Sequence, residues 1–141
     1  MFENDTLTGL PMRAALMEFL ETECAPDWWV LAFNIDNFAW LNHELGFDTG
    51  DAVLREMAGK LKSVCEGARF LSRFGSDTFV AVIEVADETA ARTAEDIRQA
   101  LTQTSVDGWS KPLSVRHACA PTKRAGMRVL EWYKELHDMP V

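Results

Sequence analysis

Eight consecutive uncharged residues, Trp28-Trp29-Val30-Leu31-Ala32-Phe33-Asn34-Ile35, decide much of what this chain can become. The run is far shorter than the roughly 20 apolar residues that a membrane-crossing helix needs. It is rich in aromatic and β-branched side chains, which favour extended backbone. A continuous apolar strand of this kind belongs inside a sheet. The run therefore predicts a first, central strand.

The flanking segments predict what covers that strand. Pro11 suits the first turn of a helix, and Met12, Leu16, Phe19 and Leu20 recur at helical spacing to about Glu23. Asp36 lies where strand gives way to helix and is expected to act as a cap. Asn37 to Leu45 reads as a short helix stopped by Gly46. Asp48 or Thr49 is expected to cap a longer helix carrying Val53, Leu54, Met57, Ala58, Leu61 and Val64. Arg69 to Phe74 and Thr78 to Val85 are β-prone runs around Gly75-Ser76-Asp77, the composition of a hairpin. A helix over Glu88 to Thr104, a loop over Val106 to Pro112, a fourth strand over Leu113 to Cys119 and a last helix over Lys123 to His137 complete the order. The pattern predicts an α/β fold of the α+β kind. Residues 1–141 would form one domain, its central, mostly antiparallel sheet covered by helices.

Charge narrows the partners. With 14 basic and 22 acidic side chains the formal charge is -8, which repels nucleic acid and anionic membrane surfaces on average. The acidic start Met-Phe-Glu-Asn-Asp is unlike a secretory signal, so a cytoplasmic place is expected, without membrane insertion. Cys24, Cys65 and Cys119 are odd in number and widely spaced, and read as reduced thiols. His43, His117 and His137 show no ligand spacing. Trp28, Trp29 and Trp40 are expected to fill the core or cover a sheet edge. Trp109 and Trp132-Tyr133 are better placed for an exposed contact surface.

Four segments, in order, resemble one family. They are Asp5-Thr6-Leu7-Thr8-Gly9-Leu10-Pro11-Met12-Arg13; Asn34-Ile35-Asp36-Asn37-Phe38 with Asn42; Gly46 with Gly50-Asp51; and Arg73-Phe74-Gly75-Ser76-Asp77-Thr78-Phe79. Together they are similar to the GGDEF domains, the diguanylate cyclases that condense two GTP into cyclic di-GMP. The resemblance implies a nucleotide-cyclase-like fold with a ferredoxin-like core. It implies guanine contacts at Asn42 and Asp51, with Phe38, Gly75 and Ser76 beside the nucleotide. It also implies a metal carboxylate at Asp77, and magnesium arriving with GTP.

The departures fall where the family places its chemistry. Asn34 stands for a metal-binding Asp, Thr78 for a Glu that acts on the attacking hydroxyl, and Ala39 for a phosphate-contacting Lys. The family's product-inhibition motif, Arg-x-x-Asp, reads Glu66-Gly67-Ala68-Arg69. Its C-terminal phosphate-contacting stretch has no clear equivalent in Tyr133 to Val141. Phosphoryl transfer depends on positioning and charge stabilisation. These changes therefore lead to the expectation of a degenerate GGDEF domain that is not an enzyme, and a regulatory module for a protein partner. That partner would be another GGDEF domain, a phosphodiesterase domain or a second copy of the chain. A GTP or GDP sensor and a residual cyclase are the alternatives.

Overall fold

A computed structural model describes residues 2–23, 27–109 and 111–122. Its elements are α1 (Arg13–Thr22), β1 (Trp28–Ile35), α2 (Phe38–Leu45), α3 (Phe47–Val64), β2 (Phe70–Arg73), β3 (Thr78–Glu84), α4 (Asp87–Thr102) and β4 (Val115–Pro121). The expected helix over Lys123 to His137, with Trp132 and Tyr133, lies outside the described residues, as does Cys24. Among the described residues, no helix is long and apolar enough to cross a membrane.

The strands form one sheet in the order β2-β3-β1-β4, antiparallel throughout. The apolar run is thus central, as its composition predicts. Alternation along β1 divides its side chains between two cores. Leu31, Phe33 and Ile35 join Phe79, Ala81 and the inner faces of α2, α3 and α4. Val30 and Ala32 join Val80, Val82 and Phe74 beneath Leu16 and Leu20 of α1. Both faces of β1 are covered, which is why its sequence does not alternate with polar residues.

Local chemistry moves several boundaries from their expected places. Gly46, at φ 90°, ends α2 and begins α3. Its amide donates to the Asn42 carbonyl and its own carbonyl accepts from the Gly50 amide. Neither Asp48 nor Thr49 caps α3; both lie within it, and Asp48 complements the helix dipole from the first turn. Asp36 is not a cap either. Asn37, in the left-handed region at φ 59°, holds the N-cap position of α2 without a side-chain bond. β4 starts two residues later than expected, because Leu113 donates to the Thr102 carbonyl and the Ser114 carbonyl accepts from the Asp36 amide. These bonds tie residues 113 and 114 to α4 and to the end of β1 before the β4 ladder begins.

The tryptophans divide. Trp28 stacks on Phe19 at 5.8 Å, with the Arg69 guanidinium 5.1 Å from its ring. Trp29 donates from Nε1 to Asp87. Both half-cover the sheet as expected. Trp40 does not, since it is 52% exposed and meets Trp109 edge-on. Trp109 in turn is half-buried against the core rather than freely exposed. Cys65 and Cys119 are free thiols, and burial pushes the Cys65 thiol up to about 11, which keeps it neutral and unreactive.

Candidate functional site

The β2–β3 turn is held from below by the N-terminal segment. Arg73 donates from Nη1 to both oxygens of Asp5 at 3.1 Å and from Nη2 to the Ser76 carbonyl at 3.0 Å. Asp5 also accepts from the Thr8 amide and the Thr8 hydroxyl. The Asp5-x-x-Thr8 spacing and Arg73 therefore fix where Gly75, Ser76 and Asp77 sit. Burial alone pushes the Asp5 carboxyl up; the Thr8 hydrogen bonds and the Arg73 guanidinium outweigh it and hold the group below its ordinary range.

A carboxyl so depressed binds fewer protons folded than unfolded. Its contribution is complete above the unfolded value near 3.8 and is lost as pH falls below it. Asp5→Asn is expected to lower stability by about 2 kcal/mol at neutral pH, with the difference shrinking below pH 3.8. Urea unfolding of both proteins at neutral and acid pH checks this. A gap that ignores pH would show that charge is not what Asp5 contributes.

Above the turn, one row of side chains crosses three strands. Asn34 of β1 is in register with Thr78 of β3 and with Arg116 of β4. The Asn34 side chain is almost wholly buried, at 2% exposure, and Thr78 at 1%. Asn34 Nδ2 donates to the Thr78 hydroxyl at 3.1 Å and to the Asp77 carbonyl at 3.4 Å. That turns Oδ1 toward Arg116, whose Nη2 donates to it at 3.3 Å. The Thr78 hydroxyl passes its own hydrogen to the Asp77 carboxylate at 3.2 Å. Asp36, expected as a cap, instead forms an ion pair with Arg116 Nε and accepts from the Ser114 hydroxyl at 2.5 Å.

A second group of candidate residues lies between α2 and α3. Asn42 and Phe38 of α2 pack on Gly50 of α3; a Cβ at Gly50 would fall 1.7 Å from Asn42 Oδ1 and 3.5 Å from Phe38 Cζ. Only glycine leaves Asn42 this place. Asn42 Oδ1 is buried and has no hydrogen-bond partner among the described residues. A buried acceptor left open is costly unless a ligand donates to it. Asp51 follows Gly50 and is half-buried. Phe38, expected beside the nucleotide, is a core residue at 7% exposure and forms the floor of this group. Ala39 is exposed, and Gly75 and Ser76 line an open cavity of about 350 Å³ with Asp5, Met12, Arg13 and Arg73.

Arg116 and Ser114 were not among the residues expected from sequence. The signal for them is weak: a lone cation at an alternating position of a strand, whose register with Asn34 depends on a pairing 82 residues away in sequence.

The residues present do not fit a resident magnesium ion. Among the described residues, no group of three or more His, Cys, Asp or Glu side chains converges on one point. Asn34 Oδ1 is occupied by Arg116, and Asp36 is held by Arg116 and Ser114. Asp77 alone is too few ligands for a hard divalent cation.

Comparison with known proteins agrees with this architecture. The family described as "Diguanylate cyclase, GGDEF domain" matches residues 3–126. Diguanylate cyclase DgcP of Pseudomonas aeruginosa is 36% identical over 118 residues, a match covering 79% of this chain and 18% of that protein. Among solved structures, the diguanylate cyclase SiaD in complex with its activator SiaC, also from P. aeruginosa, shares the fold. Its TM-score is 0.75 at 22% identity, over 90% of this chain and 54% of that one. The coiled coil and GGDEF domain of DgcB from Caulobacter crescentus, in complex with c-di-GMP, gives a TM-score of 0.73 at 26% identity, over 92% of this chain and 75% of that one. The expectation that the chain is not an enzyme is corrected here, because the matching relatives are named as diguanylate cyclases, which are enzymes.

Proposed function

Since the chain belongs to the diguanylate cyclase GGDEF family, we propose that it binds GTP and contributes a slow half-site to cyclic di-GMP synthesis. The observation that carries this reading is the open Asn42 Oδ1, buried against Gly50 and next to Asp51. Guanine presents N–H donors along one edge. An amide oxygen and a carboxylate supply acceptors for that edge, and the amide Nδ2 supplies a donor for O6 or a ring nitrogen. Adenine lacks this pattern, so the pair selects guanine.

The triphosphate is then directed toward the β2–β3 turn, which Arg73 and Asp5 hold in place. Magnesium enters as part of the nucleotide substrate. In the reaction the 3′-hydroxyl oxygen of one GTP forms a bond to the α-phosphorus of the other, the bond to the β-phosphate bridge breaks, and pyrophosphate leaves. The event occurs twice, once in each direction. Thr78 cannot accept the hydroxyl proton at neutral pH, which leaves the Asp77 carboxylate beside it as the acceptor. Two nucleotides must meet face to face, so the partner is a second GGDEF domain, a second copy of this chain being the simplest. A domain that consumes GTP works in the cytoplasm.

Calorimetric titration with GTP tests this. Asp51→Ala is expected to weaken GTP binding by roughly tenfold or more while leaving thermal unfolding unchanged. Undiminished affinity, or equal affinity for ATP, would sink the guanine assignment.

A further inference from the structure

The two most exposed large apolar side chains among the described residues are Phe47 at 74% and Trp40 at 52%. They stand on either side of Gly46, where α2 gives way to α3. Trp109 meets Trp40 edge-on, with 6.3 Å between ring centroids. The Trp109 amide donates to the Val106 carbonyl at 3.2 Å and closes a turn over residues 106–109. Gly108, at φ 91°, lays that turn along α3, where a Cβ would fall 3.9 Å from Thr49 Oγ1. Trp109 Nε1 is buried and has no hydrogen-bond partner among the described residues. An orphaned donor is a net cost that a phenylalanine would avoid, so what the tryptophan contributes here is its larger ring.

The same turn forms one wall of an open cavity of about 450 Å³. Val106 and Asp107 line it from the turn, and Asp48, Thr49, Arg55 and Glu56 line it from α3. The four charged side chains are exposed, and none of them forms an ion pair among the described residues. Three carboxylates against one guanidinium leave the cavity negative. Exposed indole rings bordered by uncommitted carboxylates are complementary to a guanidinium, whose flat face stacks on aromatic rings and whose edge pairs with carboxylate. A second copy of this chain fits poorly, because it would bring two acidic cavities together in a protein whose formal charge is already -8.

We propose that Trp40, Trp109 and the cavity beside them form a docking site for an arginine side chain presented by a basic partner protein. Trp and Arg are the residue types that most often anchor such contacts. The site uses neither Asn42 nor Asp51, so it stands or falls apart from the guanine reading.

The test is a nuclear magnetic resonance titration of the full chain with the tripeptide N-acetyl-Gly-Arg-Gly amide, and with its citrulline analogue as the uncharged isostere. Saturable binding in roughly the millimolar range is expected, with the largest shifts at the indole N–H signals of Trp40 and Trp109 and at the amides of Asp48 and Asp107. The citrulline peptide should bind roughly tenfold more weakly. Trp40→Ala should lose roughly fivefold. The double variant Asp48→Asn, Asp107→Asn should also lose roughly fivefold, and it guards against a folding defect because both side chains are exposed. No saturable binding, equal binding of the two peptides, shifts spread over other acidic surfaces, or an affinity that neither variant changes overturns the proposal. Sedimentation of the unaltered chain as a dimer that Trp40→Ala returns to monomer also overturns it, since a second copy then covers this face.

Discussion

Gly50→Ala is expected to lose roughly thirtyfold in GTP affinity, about 2 kcal/mol, although it adds only one methyl group. In an exposed helix the same change would stabilise by up to about 1 kcal/mol. Here the new Cβ lies 1.7 Å from Asn42 Oδ1 and 2.8 Å from its Cγ. The Asn42 side chain has to leave, and the acceptor it holds open leaves with it. The end of a side chain is what the methyl meets, so the fold itself survives with a loss of about 1 kcal/mol. The double variant Asn42→Ala, Gly50→Ala separates the two effects. It should regain the stability while remaining unable to bind GTP, a non-additivity expected of residues in contact. Thermal unfolding and GTP titration of the two singles and the double form the complete cycle. Additive stabilities would mean that Asn42 and Gly50 do not share the space assigned to them.

The second large effect concerns rate. Replacing Asn34 by Asp and Thr78 by Glu together is expected to raise cyclic di-GMP formation from GTP by roughly a hundredfold or more, since a metal carboxylate and a general base each contribute about that factor. The gain comes with reduced stability. Both positions are almost wholly buried, and the Asn34 to Thr78 bond would be replaced by two carboxylates beside Asp77. The destabilisation is about 2 to 3 kcal/mol, softened by Arg116 on the other side of position 34. Chromatographic assay of product over time checks the rate. If the double variant folds, binds GTP and turns over no faster than the parent, the polar row is not what limits turnover.

The fold was legible because its strongest signal lies at its centre. Trp28 to Ile35 cannot be anything but an inner strand, and helical spacing around Leu16, Met57 and Ala94 places the layers that cover it. Boundaries were less legible where backbone bonds decide them. Nothing local in Leu113-Ser114 reveals that their amide and carbonyl are engaged by Thr102 and Asp36. The candidate site divides in the same way. Asn42, Asp51 and Asp77 came into view only through the resemblance to the GGDEF domains, whereas Arg116 depends on strand register. Asp36 looked like a cap because caps are common at strand-to-helix junctions; the pairing with Arg116 across the sheet overrides that preference. Asn34 and Thr78 are two separate departures along the sequence, but in three dimensions they form one hydrogen-bonded unit, so substitutions at the two positions are expected to couple.

The strand order also has a consequence for how the chain is made. β1 occupies an inner place in the sheet, yet both of its neighbours come late: β3 begins at Thr78 and β4 ends at Pro121. During synthesis β1 leaves the ribosome with two bare edges and apolar side chains on both faces. Its second ladder cannot close until the residues up to Pro121 have been made. Helices α2 and α3 follow it directly and can shelter one face at once, but the edges have no such cover. The interval in which nascent chains could pair edge to edge with one another is therefore set by translation speed rather than by the stability of the finished sheet.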